Sequence, residues 1–188
     1  MHFKIVVMFI FVICSFFACK DEEKGKIISQ VQQTKIRIHV DSLVCLRPYG
    51  CIRPKNHVSN AGYTYVVYCD SVKCSLCELQ RMGIWDGIIK RTRRIGVPVD
   101  FLFVFNPGRN NIAPFVKGYY SRKFRLEVYV DTNGIVRRNN MILNDMAVHS
   151  FIMDKNGHIV KIGDASKSAE VENEFYRFLK REKCDGGY

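Results

Sequence analysis

Apolar positions change period several times along this chain, and each change marks an element. Alternation in Tyr63-Thr64-Tyr65-Val66-Val67-Tyr68, rich in β-branched and aromatic residues, predicts a strand after the turn signal Asn60-Ala61-Gly62. From Ser75 the period lengthens: Leu76, Leu79, Met82, Trp85, Ile88 and Ile89 recur at three- and four-residue steps, the face of a helix that Gly96 ends. Residues 97–105 are nearly continuously apolar, as in a strand buried on both faces, and Asn106-Pro107-Gly108 stops them. A short helix is expected over 110–120 and a strand over 124–130, with Asp131-Thr132-Asn133-Gly134 as its turn. Two further strands, 148–153 and 158–162, flank Asp154-Lys155-Asn156-Gly157, a hairpin signal because Asn-Gly tolerates positive φ. Val171, Phe175, Phe178 and Leu179 stripe a terminal helix. This order predicts an α/β fold, a mixed β-sheet flanked by helices.

The amino-terminal pattern differs. His2 and Lys4 precede an apolar run over 5–17, interrupted by Ser15 and ending at Ala18-Cys19. That run is shorter than the ~20 residues of a membrane span, and Lys20-Asp21-Glu22-Glu23 follows at once, so residues 1–18 read as a signal peptide. Phe16-Phe17-Ala18-Cys19 resembles the lipobox of bacterial lipoproteins, with Phe16 where leucine is usual. The resemblance implies lipidation of Cys19 and attachment to a lipid bilayer; the alternative is an ordinary secretory signal beside a bystander cysteine. Residues 19–33 are polar and read as a lipidated tether. The Lys-acidic run in it also resembles the export signal of Bacteroidota surface lipoproteins. Residues 34–188 are expected to form one domain, with 34–62 as an amino-terminal extension.

Formal charge is +11, and loss of residues 1–18 lowers it to +10, since Lys4 is the only charged residue lost. Such an excess suits phosphate or anionic lipid. The basic residues are scattered through Arg81, Lys90, Arg91, Arg93, Arg94, Lys117, Arg125, Arg137 and Arg138 without a nucleic-acid motif, so no nucleic-acid partner is expected and most of this charge reads as solvated faces. Of eight cysteines, Cys14 leaves with the signal and Cys19 is acylated, which leaves Cys45, Cys51, Cys69, Cys74, Cys77 and Cys184. An exported chain permits disulfides among them, and six cysteines allow fifteen pairings. Cys45 and Cys51 flank the turn-like Arg47-Pro48-Tyr49-Gly50 and suit a local disulfide; Cys69 and Cys184 either pair or leave Cys69 as a third redox partner.

Cys74-Ser75-Leu76-Cys77 is a Cys-X-X-Cys between a predicted strand and a predicted helix. A cysteine there meets unpaired amides and the positive end of the helix dipole, which favour thiolate, and Lys73 adds a cation. Cys77, one turn inward, is placed to attack a mixed disulfide. This motif, Glu78-Leu79, Trp85, Phe101-Leu102-Phe103-Val104-Phe105-Asn106, Val128-Tyr129-Val130-Asp131 and the hairpin from His149-Ser150-Phe151 through Asp154-Lys155-Asn156-Gly157 to Gly163 together resemble the thioredoxin-like fold, and more closely the thioredoxin-like lipoproteins of Bacteroidota.

The resemblance spans residues 63–180 and implies thiol-disulfide exchange in the cell envelope, on the outer membrane, its periplasmic face or the surface. Cys74 would be the attacking thiolate, Cys77 the resolving thiol, and protein or peptide thiols and disulfides the partners. No cofactor and no metal are implied. Two positions depart from the pattern: His149 stands where thioredoxins carry a cis-proline, and Lys73 where an aromatic residue is common. His149 either acts on Cys74, as base or stabilising group, or is a histidine satisfied by a backbone carbonyl. Three readings of the cysteine pair stay open: redox exchange, a static disulfide on a binding or structural module, and a zinc set of Cys69, Cys74, Cys77 and His149. The first is the reading adopted here, with a redox-inactive envelope lipoprotein as the alternative.

Overall fold

The register of the strand that precedes Cys-X-X-Cys organises the sheet. In the computed structural model, which describes residues 34–48, 61–71, 75–122, 124–145 and 148–186, β2 (Tyr63–Cys69) pairs in parallel with β3 (Val99–Phe105) and antiparallel with β5 (Ser150–Asp154). β4 (Val128–Val130) continues the parallel run beside β3, β1 (Val44–Leu46) closes that edge, and β6 (Ile159–Ile162) closes the other. The order is β1-β4-β3-β2-β5-β6. A strand-helix-strand unit and a strand-strand-helix unit thus share one mixed sheet flanked by helices, the α/β arrangement expected from the sequence. Lys35–Tyr188 forms one compact unit; the unit Met1–Thr34 lies outside the described residues except for Thr34, and with it the signal, Cys19 and the tether.

The predicted helix after β2 is two helices, α1 (Ser75–Arg81) and α2 (Gly83–Ile95), broken at Met82. The break is a tightened turn, in which Met82 N–H donates to Leu79 O at 3.2 Å and Trp85 N–H to Met82 O at 3.1 Å. Gly83, weak in helix interiors, sits at the joint. Leu79, Met82, Trp85, Ile88 and Ile89 are buried as the periodicity requires, whereas Leu76 is exposed beside Gly118 of α3 (Ile112–Ser121). Trp85 meets Tyr65, Phe101 and Phe103 edge-on, and Phe175 of α5 (Ala169–Gly186) completes the aromatic core.

Two expectations need correction. β3 is fully buried only at Phe103, Val104 and Phe105, because β4 covers only its last two residues. The strand expected over 124–130 shrinks to Val128–Val130, since β1, its outer partner, is three residues long; Phe124 and Leu126 pack on the core without ladder partners there. The extension is part of the sheet: besides supplying β1, it buries Ile36 and Leu43 and is held where Asn140 accepts from Arg37 N–H (2.8 Å) and donates to Arg37 O (2.9 Å). The hairpin turn forms as read, with Gly157 at φ +88, where any Cβ would fall 2.7 Å from the Ile36 carbonyl. Among the described residues no helix is long and apolar enough to cross a membrane.

Candidate redox site at the carboxyl end of the sheet

Three parallel strands end side by side, and each is followed by a polar residue: Asp70 after β2, Asn106 after β3, Asp131 after β4. The ladder carries one step further, since Asn106 N–H donates to Cys69 O (2.7 Å) and Asp131 N–H to Phe105 O (2.8 Å). Ligand and active sites of open α/β sheets form outside such strand ends. Here Asp70 and Asp131 are 2% and 1% exposed. Asp131 caps the one-turn helix α4 (Ile135–Asn139), accepting from Ile135 and Val136 N–H at 2.8 and 2.9 Å. Arg137 of that helix returns to Asp70, Nη1 to Oδ2 at 3.2 Å, while its Nε donates to Asn144 (2.7 Å).

Cys77 stands in the first turn of α1 at this same end and is disulfide-bonded. Cys74 lies outside the described residues, so its place relative to Cys69, His149 and Cys77 is not part of this geometry. Cys69 is a buried thiol on the α1 side of β2, 3.8 Å from Ser75 Oγ and 3.9 Å from the Asp70 carbonyl. Cys184 is an exposed free cysteine at the far end of α5, so a Cys69–Cys184 disulfide does not form. Cys45 is also free, which removes the expected Cys45–Cys51 staple; its partner position, Cys51, lies outside the described residues. Burial, and after it the Glu127 carboxylate, push the Cys45 thiol above its ordinary range. A disulfide-bonded Cys77 cannot also be a zinc ligand, and the described residues contain no metal-holding cluster.

His149 is 2% exposed, with Nε2 at 3.0 Å from the Leu143 carbonyl, and its own carbonyl accepts from Tyr68 N–H at 2.7 Å. The carbonyl contact of the backbone-satisfied reading is thus present, while the reading in which His149 acts on Cys74 falls outside the described residues. No cis peptide bond occurs among the described residues. Its ring meets Tyr68 edge-on, centroids 5.4 Å apart, on the sheet face that carries Arg137 and Leu143. Cys69 points to the opposite face, into the cluster of Leu79 and Trp85.

Sequence reading missed Tyr68, Asp70, Asn106 and Asp131, and took Arg137 for solvated charge. One signal was available: Asp70, Asn106 and Asp131 each stand within two residues of the end of a predicted strand. Tyr68 is 2% exposed, and among the described residues its hydroxyl makes no hydrogen bond of normal geometry, although the Asn106 side chain lies close enough to influence it. Burial first, then the Asp131 carboxylate, push its phenol up to about 12, with Asn106 and Arg137 opposing. Because the folded value lies above the unfolded value near 10, this contribution is intact below pH 10 and is lost as pH rises toward 12. Tyr68→Phe should therefore stay within about 1 kcal/mol of the parent at pH 7, since an unsatisfied hydroxyl is removed. Between pH 10 and 12 it should shed roughly 2 kcal/mol less. Urea unfolding at pH 7 and pH 11 measures both; an equal alkaline loss in the two proteins would rule Tyr68 out as its source.

No protein-family model and no curated protein matches the chain. Among solved structures it is similar to the pneumococcal exposed lipoprotein thioredoxin Etrx1 of Streptococcus pneumoniae strain TIGR4, at 19% identity and a TM-score of 0.44, over 65% of this chain and 87% of that one.

Proposed function

We propose that this chain is a membrane-anchored thiol-disulfide oxidoreductase of the cell envelope, related to the thioredoxin-like lipoproteins of Bacteroidota and acting on protein or peptide thiols through Cys74 and Cys77. The observation that carries the reading is a disulfide-bonded Cys77 in the first turn of the helix after β2, at the strand ends where α/β sheets build their sites. In the proposed cycle the oxidised form carries a disulfide between Cys74 and Cys77. A substrate thiolate then attacks Cys74, forming a mixed disulfide and releasing Cys77 as thiolate. A second substrate thiolate attacks the mixed disulfide at the substrate sulfur, so that the substrate leaves oxidised and the pair holds two electrons. In the reverse direction Cys74 thiolate attacks a substrate disulfide and Cys77 resolves the intermediate. Cys69, buried behind α1, is a reserve thiol in neither step. The anchor rests on Cys19 and the signal before it, and acylated mass on that cysteine is its direct assay.

The test is a redox titration of the mature chain without its lipid, quenched by alkylation and mapped by peptide mass spectrometry. A reversible two-electron transition of Cys74 and Cys77 at a potential well above about −300 mV is expected. A pair that stays oxidised under far stronger reductants would mark a static disulfide, and the chain would then be a binding or structural lipoprotein.

A further inference from the structure

The amino-terminal end of β2 is the pole opposite Cys77, and the entry of the chain and a group of cations meet there. Tyr63 opens β2 and pairs with Asp154, next to the hairpin turn. At that turn Lys35 bridges His158, and Ile36 N–H donates to Gly157 O at 2.8 Å, so the chain enters the domain here. The carboxyl half of α5 ends at the same pole: Phe178 packs edge-on against Tyr63, and Lys183 Nζ donates to Ile95 O at 2.8 Å. Arg177, Lys180 and Arg181 of that half, with Lys161 and Glu174, line a shallow cleft of about 480 Å³. The carboxylate is held by Lys161 at 3.0 Å, leaving the three α5 cations in excess and exposed. Seven residues of β2 separate this pole from the strand end near Cys77, about 20 Å.

From this placement we propose that the Lys161–Arg177–Lys180–Arg181 pole docks on the phosphate headgroups of an anionic bilayer and turns the Cys77 end away from the membrane. The proposal deepens the anchored-oxidoreductase reading and rests on its anchor. About fifteen residues, from Lys20 to Thr34, separate Cys19 from the entry point, and even fully extended they span no more than about 50 Å. Confined so closely, the domain sees headgroups at a high effective concentration, and a weak attraction suffices to orient it. Screening acts over about 8 Å, so only the pole nearest the tether takes part. That co-location favours lipid over a soluble polyanion, which any basic face would serve equally well.

The described core lies between Ile36 and Leu179, so a chain from Lys20 to Tyr188 keeps all of it without acyl groups. Flotation of this chain with vesicles of 30% phosphatidylglycerol in phosphatidylcholine should exceed that with phosphatidylcholine alone and vanish at high salt. The combined variant Arg177→Gln, Lys180→Gln, Arg181→Gln should bind on the order of a hundredfold more weakly, at about fivefold per cation. Arg109→Gln, Lys117→Gln, Arg138→Gln removes equal charge elsewhere and should lose less than threefold. In the acylated protein a fluorophore on Cys184 should transfer energy to a headgroup acceptor, and the α5 variant should weaken that transfer. Equal losses in both variants, absence of flotation, or tighter binding to inorganic polyphosphate than to vesicles would overturn the proposal. Cell-derived protein without acyl mass on Cys19, whose unacylated form still floats through α5, would sink the anchor reading instead and leave the lipid affinity standing.

Discussion

Cys74→Ser should abolish disulfide exchange, a loss on the order of a thousandfold or more, because the substrate-linked intermediate needs a sulfur at that position. Cys77→Ser should behave differently. Its first step is intact, so a mixed disulfide between Cys74 and substrate forms and persists, no second thiolate being in place to resolve it. Reduction of a model disulfide gives the first result, and intact mass after mixing Cys77→Ser with oxidised substrate gives the second, as a stable adduct. Retained turnover in Cys74→Ser would transfer the nucleophile's role to another sulfur, with Cys69, 3.8 Å from Ser75, the first to test.

Trp85→Ala should destabilise the domain by about 4 kcal/mol, near the centre of the range for a buried large aromatic residue cut to alanine. Trp85 is 3% exposed and meets Tyr65, Phe101 and Phe103 edge-on, so its loss opens a cavity between α2 and both central strands. Neighbours held by α1, α5 and the sheet cannot close that cavity without losing their own contacts. The midpoint of thermal unfolding should fall by about 10 °C. Trp85 is the sole tryptophan, so the comparison needs circular dichroism, with the urea midpoint falling and its slope unchanged. A cost below about 1 kcal/mol would mean that the α2–sheet interface repacks freely, contrary to the fully buried Leu79, Ile88 and Phe103 around it.

The apolar stripe of residues 79–89 placed the helix that follows the cysteine motif, since a 3.6-residue period reports directly which face is buried. It could not place the break at Met82, because a tightened turn keeps the same side chains inward and leaves the period almost unchanged. Likewise Asn156-Gly157 announced the β5–β6 turn, while β1, three residues with one buried, is too short for alternation to register. At the site, the motif and His149 were visible, but what His149 touches was not. One reading of it turns on a backbone carbonyl, that of Leu143 six residues back, and the other on Cys74, which lies outside the described residues.

By itself, the sequence determined β2, β3, the β5–β6 hairpin, the helical stretches after β2 and β3 and the terminal helix, their order, and the position of the cysteine motif just after β2. These are local properties, set by side-chain period and by the φ a turn residue allows. Tertiary structure alone decided that Asp70 meets Arg137 across 67 positions, that the extension closes a sheet edge, and that dispersed cations gather at the pole opposite Cys77. Such contacts depend on how strands are ordered and which ends coincide, and no period along the chain encodes them.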